Sequence, residues 1–217
     1  MGKSHYVDFV AQNIGRHETK RVVVATSGGV ESVACCTLLE EQGYEVYSCF
    51  CDYGQPALEA ERFVTQELRE KRIVREIYEV KLDVVRAMPK GSLDDDDSFV
   101  PFRNVHILLN AATIAEKIDA DGVAIGYTSK VDEGVFFDNS FADHVFLSAL
   151  FSANLGREMK VFLPVKTKTK FEMLAYLWEK KIKSVSCWNA EIVDNKIVVC
   201  EKCAQCLERK QAEDMIL

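Results

Sequence analysis

The feature that most constrains the fold is a strand-like run that ends in two glycines and leads directly into a helical pattern. Residues 21–26 read RVVVAT, a short, continuous, β-branched segment typical of strands buried in parallel sheets. Ser27, Gly28 and Gly29 follow, and apolar residues then recur on one helical face from Val30 to Leu39. A strand, a glycine turn and a helix in this order predict a βαβ unit and therefore a parallel sheet.

Strands and helices continue to alternate along the chain. Further strands are predicted over residues 45–50, 73–80, 122–126 and 161–163, and further helices over residues 57–71, 105–115, 141–152 and 171–181. Residues 88–98 contain the acidic run 94–97 and are predicted to form a solvated loop, with a mobile cover over substrate or a metal site as alternatives. The fold class is therefore α/β, a parallel twisted sheet flanked by helices. We expect residues 1–180 to form this unit and residues 181–217 a cysteine-rich subdomain packed on it.

Charge and cysteine content narrow the classes of partner. Acidic residues exceed basic ones by 34 to 27, so the chain carries a net charge of −7 and lacks the basic surface of a nucleic-acid-binding protein. No apolar run is long enough to cross a membrane, and the first twenty residues lack the apolar core of a secretion signal. We therefore expect a cytoplasmic protein with no nucleic-acid or membrane partner, whose eight cysteines are reduced.

The glycine loop is a candidate phosphate site. Glycines let the backbone approach a ligand closely, and the N-terminus of the following helix presents free N–H groups and the positive end of the helix dipole. Ser27 and Ser32 can add hydroxyl groups. The loop lacks the Gly-Lys-Ser/Thr of a Walker A motif and does not match GxGxxG. A tight turn without a ligand is the alternative.

Four cysteines near the end of the chain have the spacing of a metal site. Cys187 precedes Cys200, Cys203 and Cys206, and the last three form two overlapping CxxC units. Four thiolates complete a tetrahedral zinc shell with no open position, which predicts one structural Zn²⁺ ion. The alternatives are four reduced buried cysteines and an iron–sulfur cluster. The other four cysteines lie in apolar helix and strand patterns and are predicted to be core residues.

These motifs together resemble a known family. The segment SGGVES resembles the SGGxDS loop of the PP-loop ATP pyrophosphatases, which bind ATP and release pyrophosphate. With the cysteine cluster, the chain is similar over nearly its whole length to QueC, the 7-cyano-7-deazaguanine synthase family. The resemblance is carried by SGGVES, the segment 52–55 (DYGQ), Val100-Pro101, Arg103-Asn104, Gly126 and the segment 186–189 (SCWN).

The resemblance implies an ATP-dependent ligase with a PP-loop, Rossmann-like fold. In such enzymes ATP adenylates the carboxylate of 7-carboxy-7-deazaguanine, ammonia displaces AMP to give the amide, and a second ATP leads to the nitrile. It implies ATP with Mg²⁺, small-molecule substrates and a homodimer.

The expected site residues follow from the motifs and the resemblance. The catalytic candidates are Ser27, Glu31, Ser32 and Arg103. The expected ATP-binding residues are Ala25, Thr26, Ser27, Gly28, Gly29, Val30, Glu31, Ser32, Gly54 and Gln55. The expected substrate-binding residues are Arg103, Asn104, Asp138, Trp188 and Asn189. Simple packing is the alternative for Trp188 and Asn189. Lys166, Lys168 and Lys170 are either solvated or bind phosphate.

Three departures from the family concern the substrate. Glu31 replaces an aspartate, Pro56-Ala57 replaces Arg-His, and residues 134–140 keep Asp138 but lose the Pro, Cys and Arg of a GYPDCR segment. A diverged ligase that conjugates the same activated acid to another amine, such as a protein N-terminus in antiviral defence, is therefore the main alternative. A nucleotide-sensing module without turnover and a tRNA-modifying ligase are further alternatives, and the acidic charge disfavours the last of these.

Overall fold

The computed structural model describes residues 20–85, 87–94, 100–128 and 141–216, with only the backbone at 141–144. The first half of the chain contains β1 (Arg21–Thr26), α1 (Val30–Glu41), β2 (Glu45–Asp52), α2 (Leu58–Glu70), β3 (Ile77–Lys81) and α3 (Arg103–Lys117). The second half contains β4 (Gly122–Ile125), α4 (Phe141–Leu155), β5 (Lys160–Phe162), α5 (Lys170–Glu179), β6 (Glu191–Val193), β7 (Lys196–Val198) and α6 (Ala204–Asp214).

The main sheet has five parallel strands in the order β3-β2-β1-β4-β5. β1 is central because its β-branched residues suit burial on both faces: Val22, Val23 and Val24 are each 0% exposed. Arg21 pairs with Glu45 on one side, and Val22 pairs with Gly122 on the other. The predicted α/β class and parallel sheet are confirmed.

Two apolar layers cover the sheet. Alternate strand residues point to opposite faces, so Val22 and Val24 pack with α1, α2 and α5, whereas Val23 and Ala25 pack with α3 and α4. The predicted core cysteines divide between these layers: Cys35 and Cys36 of α1 lie in the first layer, and Cys49 and Cys51 of β2 lie in the second.

The third strand begins later than predicted. Residues 73–76 do not belong to β3, because Arg72 has a left-handed backbone with φ of 61° and the N–H groups of Ile73 and Val74 both bond to the carbonyl of Leu68. Ile73 and Val74 are buried under the end of α2. Their apolar character therefore reflects a helix-terminal turn rather than a strand.

The segment before α3 is less solvated than predicted. Met88 and Ser92 are buried, and Asn189 and Ala204 of the C-terminal segment bond to its backbone. The described part of the acidic run, Asp94, is exposed. Residues 95–97 lie outside the described residues, as do Asp138 and the loop 134–140.

The C-terminal segment consists of the antiparallel β6–β7 pair and α6. Its residues Val185, Cys187, Cys203 and Ala212 are buried in the same apolar cluster as Val22 of β1. This packing ties the segment to the α1 side of the sheet. The division at residues 180 and 181 stays a prediction. Among the described helices, none has the length and apolar character to span a membrane.

Candidate active site and metal centre

The sheet topology places a switch point at the carboxyl end of β1, where a ligand crevice is expected. From β1 the chain winds to β2 and β3 on one side and to β4 and β5 on the other, so the connections diverge beside β1. In open α/β sheets, ligands bind outside the carboxyl ends of the strands at such a switch point. The loop 27–29 leaves β1 at this place and leads into α1.

The glycine loop has the geometry of a close backbone turn. Gly28 has φ of +65°, and a Cβ there would lie 2.9 Å from the carbonyl oxygen of Glu61 on α2. Gly29 has ordinary backbone angles and caps α1, whose first bond runs from the N–H of Val33 to the carbonyl of Gly29. The N–H groups ahead of that bond have no partner within the helix and can meet an anion.

The two serines stabilise the loop from inside. The Ser32 hydroxyl accepts from the backbone N–H of Ser27 at 3.2 Å and donates to the carbonyl of Gly29 at 3.1 Å. The N–H of Gly29 donates to the Ser27 hydroxyl at 3.4 Å. Ser32 is buried, whereas Ser27 is exposed. Ser32 therefore shapes the loop, and Ser27 is the hydroxyl available to a ligand.

The start of α1 approaches the end of β4 closely. A Cβ at Gly126, just after β4, would lie 2.6 Å from the carbonyl carbon of Glu31 and 2.8 Å from the nitrogen of Ser32. Only glycine permits this approach. It fixes the first turn of α1 against the neighbouring strand.

Glu31 is linked to the C-terminal segment through Lys170. The Lys170 amine lies 3.5 Å from Glu31 Oε1 and 2.7 Å from Glu208 Oε2 of α6, and it also donates to the Gln205 side chain. Lys170 is only 8% exposed. The prediction that it is solvated is wrong, because it is the first residue of α5 after the Thr169 capping box and points towards α6.

The segment 52–55 forms a self-braced turn at the end of β2. The Gln55 side chain is buried; its Nε2 donates to the carbonyl of Cys51 at 3.0 Å and to Glu61 Oε2 at 2.8 Å. Its Oε1 accepts from the N–H of Tyr53 at 3.0 Å. Gly54 has φ of +78° and donates to Asp52. Both amide hydrogens of Gln55 are therefore committed to the protein.

A group of interacting polar side chains stands beside this turn. Burial raises the pKa of Glu61 to about 7, although the Gln55 hydrogen bond and the positive charge of Arg103 oppose the shift. Burial, followed by the charge of Glu61, raises the pKa of Tyr53 to about 12, and Arg103 opposes this shift by its charge and by a hydrogen bond. Arg103 at the start of α3, predicted to contact substrate, thus faces the β2 turn.

Glu61 is not among the predicted site residues. A signal for it exists in the sequence: it lies four residues after Ala57 and three before Val64, so it falls on the buried side of α2. Burial of a carboxylate costs free energy unless the group is paired, so a carboxylate at such a position indicates either a hydrogen-bond partner or a functional role.

The four predicted metal ligands come together. The sulfur atoms of Cys187, Cys200, Cys203 and Cys206 all lie within 4.8 Å of one another, and those of Cys200 and Cys206 are 4.0 Å apart. Zinc–sulfur bonds of about 2.3 Å in a tetrahedron place the sulfur atoms about 3.8 Å apart. The donor set therefore fits one tetrahedral ion.

Backbone groups support charge on the sulfur atoms. The N–H groups of Asn189 and Cys200 point at Cys187 Sγ at 3.3 and 3.2 Å, and the N–H of Cys203 points at Cys200 Sγ at 3.4 Å. Hydrogen bonds to a thiolate favour its charged form, which is the form that binds metal. The cluster can therefore hold a metal ion.

The metal centre is joined to the glycine loop. The N–H of Val185, two residues before Cys187, donates to the carbonyl of Gly28 at 2.8 Å. The Asn189 side chain accepts from the N–H of Gly91 and donates to the carbonyl of Ser92, both at 2.8 Å. The segment that carries Cys187 is therefore hydrogen-bonded to the glycine loop and to residues 91–92.

The remaining predicted residues occupy different places. Ala25, Thr26 and Val30 are buried at the junction of β1 and α1. Trp188 is half-buried and packs against both apolar layers, and Asn104 is half-buried in the first turn of α3. The Asn189 amide is engaged with backbone. Contact of Asn104, Trp188 and Asn189 with substrate stays a prediction.

Comparison with known proteins gives a consistent result. The family model described as QueC, queuosine biosynthesis protein, matches residues 21–216. A 7-cyano-7-deazaguanine synthase of Acetivibrio thermocellus is 30% identical over 172 residues, covering 71% of this chain and 76% of that protein. One from Saccharophagus degradans is 28% identical over 217 residues, covering 90% and 94%.

The fold has a counterpart among solved structures. The U34-tRNA thiolase NcsA from Methanococcus maripaludis, solved with its 4Fe–4S cluster, superposes with a TM-score of 0.55 at 16% identity. The match covers 97% of this chain and 70% of that one. The architecture described above is thus shared with this thiolase, and the family match extends over almost every residue from β1 to α6. The chain therefore belongs to the QueC family and is an ATP-dependent enzyme.

Proposed function

We propose that the chain activates the carboxylate of 7-carboxy-7-deazaguanine with ATP, transfers it to ammonia and completes the conversion to 7-cyano-7-deazaguanine. The observation that carries the proposal is the glycine loop at the sheet's switch point, in a chain whose relatives are named for this synthesis. A carboxylate has a poor leaving group, and an acyl adenylate corrects this defect. The site therefore has mainly to position two substrates and exclude water.

The loop residues are suited to hold the phosphates of ATP. Gly28 and Gly29 bring the backbone close, and the N–H groups that open α1 are free of helical partners. The exposed Ser27 hydroxyl donates to Ser32 at 3.3 Å and would rotate to donate to a phosphate. The carboxylate of Glu31 is the group in this loop that would hold Mg²⁺, which neutralises phosphate charge when bound. The loop has no Walker lysine, which supports AMP and pyrophosphate as products.

Arg103 is suited to receive the substrate carboxylate. It is half-buried at the start of α3 and binds the Tyr53 hydroxyl, so its guanidinium is fixed at the crevice. Guanidinium groups bind carboxylates in two parallel hydrogen bonds. This would place the acid beside the β2 turn and within reach of the loop.

We propose Zn²⁺ for the cysteine cluster, in a structural role. The mutual separation of at most 4.8 Å supports a single ion, because a cluster of several irons spreads its thiolates further apart. NcsA holds a 4Fe–4S cluster, but at 16% identity its metal does not transfer to this chain. Metal analysis of the purified protein should give one equivalent of zinc and no iron or acid-labile sulfide.

The diverged ligase is the second candidate. Where the family carries Arg-His, this chain has Pro56 and Ala57, and Ala57 is only 2% exposed at the start of α2. A histidine has no room there, so a group found in relatives is lost from this edge of the site. If it serves amide dehydration, the reaction stops after one AMP, at the amide or at an acyl adenylate that another amine can attack.

One experiment separates these candidates. Purified protein is incubated with ATP, Mg²⁺, 7-carboxy-7-deazaguanine and ammonium, and the products are identified by mass spectrometry. The synthase is expected to form the nitrile with two AMP per product. One AMP per product with an amide mass and no nitrile supports the conjugating ligase, and ADP as the main nucleotide product contradicts both.

The homodimer remains part of the proposal. Light scattering behind size exclusion should give twice the chain mass of 24.5 kDa. A monomer mass that persists at the highest concentration would contradict it.

A further inference from the structure

A carboxylate that the proposed reaction does not yet use lies beside the glycine loop. Glu61 Oε2 accepts the Gln55 side-chain amide at 2.8 Å. No described residue donates a hydrogen bond to Glu61 Oε1, and the residue is half-buried. One oxygen of this carboxylate is thus anchored, and the other can accept a ligand.

The position of this carboxylate is fixed from two sides. The backbone of Glu61 contacts the glycine loop, since its carbonyl oxygen and Cα lie 2.9 and 3.1 Å from where a Cβ of Gly28 would be. Its side chain reaches the turn at the end of β2, where Gln55 is itself held by Cys51 and Tyr53. Glu61 therefore bridges the expected phosphate loop and the turn that faces Arg103.

The orientation of the Gln55 amide determines what can bind here. Both of its hydrogens are used, one by Cys51 and one by Glu61, so it offers a ligand no donor. The groups left open are acceptors: Glu61 Oε1 and a lone pair of Gln55 Oε1. A small cation with several N–H donors matches such a set.

We propose that Glu61 binds the ammonium ion that supplies nitrogen to the acyl adenylate and takes its proton. This inference rests on the proposed function and names the binding site of its nitrogen donor. Ammonium keeps its proton near neutral pH and is then no nucleophile, so a base is needed at the place of attack. Glu61 is a carboxylate held beside the loop that would carry the adenylate.

The transfer balances with this single base. Glu61 takes one proton from ammonium, and the freed lone pair of ammonia forms a C–N bond to the acyl carbon. The bond from this carbon to the AMP oxygen breaks, and its electron pair leaves with AMP. The nitrogen releases its second proton to solvent. Acyl adenylate and ammonium thus become amide, AMP and two protons.

Charges around the site favour an order of binding. Arg103 is the cationic group that acts on Glu61, and Tyr53 is the neutral titratable group beside both. The positive charge of Arg103 repels ammonium until a substrate carboxylate neutralises it. Ammonium should therefore bind after the acid, which keeps the nitrogen donor away from ATP alone.

The variant Glu61→Gln tests the site, with Glu59→Gln as the matched control. Glu59 lies on the same helix, is exposed and pairs with Arg62 on the helix surface. We expect the KM for ammonium to rise at least about tenfold in Glu61→Gln, because one charge-assisted hydrogen bond between the protein and ammonium is lost. The KM values for ATP and for the acid should stay within about twofold, because neither contacts the lost charge.

Turnover with hydroxylamine in place of ammonium distinguishes a base from a merely structural residue. Hydroxylamine is largely uncharged at neutral pH and needs no base to free its lone pair. Glu61→Gln should therefore keep near wild-type AMP release and hydroxamate formation with hydroxylamine while it loses turnover with ammonium. If Glu61→Gln proves unfolded by circular dichroism, Glu61→Asp, which keeps the charge, should show an intermediate KM for ammonium.

Three outcomes overturn the inference. They are an unchanged KM for ammonium, an increase in the KM for the acid instead, and an equal loss with hydroxylamine. The last two would make Glu61 a contact of the heterocycle or a structural residue. If the wild-type protein forms no AMP from ATP and the acid with either nucleophile, the proposed function fails, and this is seen before any variant is measured.

Discussion

The two glycines of the loop carry different constraints. Gly28 has a left-handed φ, and its missing side chain leaves room for the backbone of α2 at 2.9 Å. Gly29 has φ of −67°, and a Cβ there would come closest to the Ser27 hydroxyl at 3.2 Å, a group that can rotate, while a Glu31 carboxylate oxygen and the carbonyl oxygen of Val185 would lie in ordinary contact at 3.6 and 3.7 Å. The first glycine is therefore required for folding, and the second keeps the surface of the loop open.

This difference predicts separate effects for two substitutions. Gly28→Ala should lower the free energy of unfolding by about 2–4 kcal/mol, since both strain and a clash with backbone oppose it. Gly29→Val should still fold, with a loss of about 1 kcal/mol because valine is a poorer N-cap than glycine, and should lose ATP binding because its side chain covers the helix N-terminus. Denaturant unfolding and calorimetric ATP titration measure the two effects. ATP binding retained in Gly29→Val would show that ATP lies elsewhere.

Glu61 predicts a dependence of stability on pH. Its pKa rises from 4.5 to about 7 on folding, so between these values the folded state binds the proton more strongly than the unfolded state. This contribution to stability is present at low pH and is lost as the pH rises through about 7. Ionised Glu61 thus costs the protein stability under the conditions in which a base is useful.

Comparison with Glu61→Gln isolates this contribution. On going from pH 5.5 to pH 8, the variant should gain about 1 kcal/mol of unfolding free energy relative to wild type, after allowance for partial exposure. Urea unfolding at both pH values gives this difference, and Glu59→Gln should show none. A pH-independent difference would mean that the carboxyl is already ionised below pH 5.5.

At the level of residues, the sequence predicts the metal ligands better than it predicts the contacts of buried charged side chains. The spacing of Cys200, Cys203 and Cys206 places three thiolates within one short turn, so the metal cluster could be found without the fold. Lys170 could not, because it looks solvent-facing among the lysines of residues 166–170, and for Glu61 the sequence shows only that it lies on the buried side of α2, not which groups it meets. Their roles depend on α2 and α6 reaching the glycine loop, which local sequence does not encode.

At the level of elements, Lys170 connects three helices. As the first residue of α5, it reaches Glu31 of α1 and Glu208 of α6. A buried amine whose carboxylate partners come from separate elements holds them together, and its removal leaves two partly buried charges unpaired. The first turn of α1 and the helix that carries Cys206 are thus mechanically linked.

The substitution Lys170→Met should loosen that link. We expect a loss of about 1–3 kcal/mol in unfolding free energy and faster release of zinc to a coloured chelator, because α6 is less firmly held. Lys168→Met is the matched control, since Lys168 is exposed two residues away. Equal release rates for the two variants would show that α6 is held by packing alone.

The elements themselves could mostly be predicted, and their ends could not. β1, β2 and β4 follow from short, largely apolar runs with clear glycine or polar boundaries. The strand predicted at residue 73 starts at Ile77, because the turn after α2 buries Ile73 and Val74 and gives them strand-like composition. Residues 88–93 look like a solvated loop but are fixed by Asn189, a contact made across about a hundred residues.

At the level of the whole molecule, the metal centre supports the expected ATP site. Val185 pairs with the backbone of Gly28, and Val185, Cys187 and Cys203 belong to the apolar cluster that underlies α1. The sequence places both motifs in one chain, but only the fold brings them into contact. Structural zinc contributes on the order of 10 kcal/mol to the folding of small metal domains.

Removal of the metal should therefore affect nucleotide binding as well as stability. Chelation at neutral pH, or the substitution Cys203→Ser at a fully buried ligand, should lower the midpoint of thermal unfolding by about 10 °C or more. ATP affinity should fall in the same samples at temperatures where the sheet is still folded, because Gly28 loses its support from Val185. Re-addition of zinc to the chelated protein should restore both properties together. Full ATP affinity in metal-free, folded protein would show that the glycine loop holds its shape without the cysteine cluster.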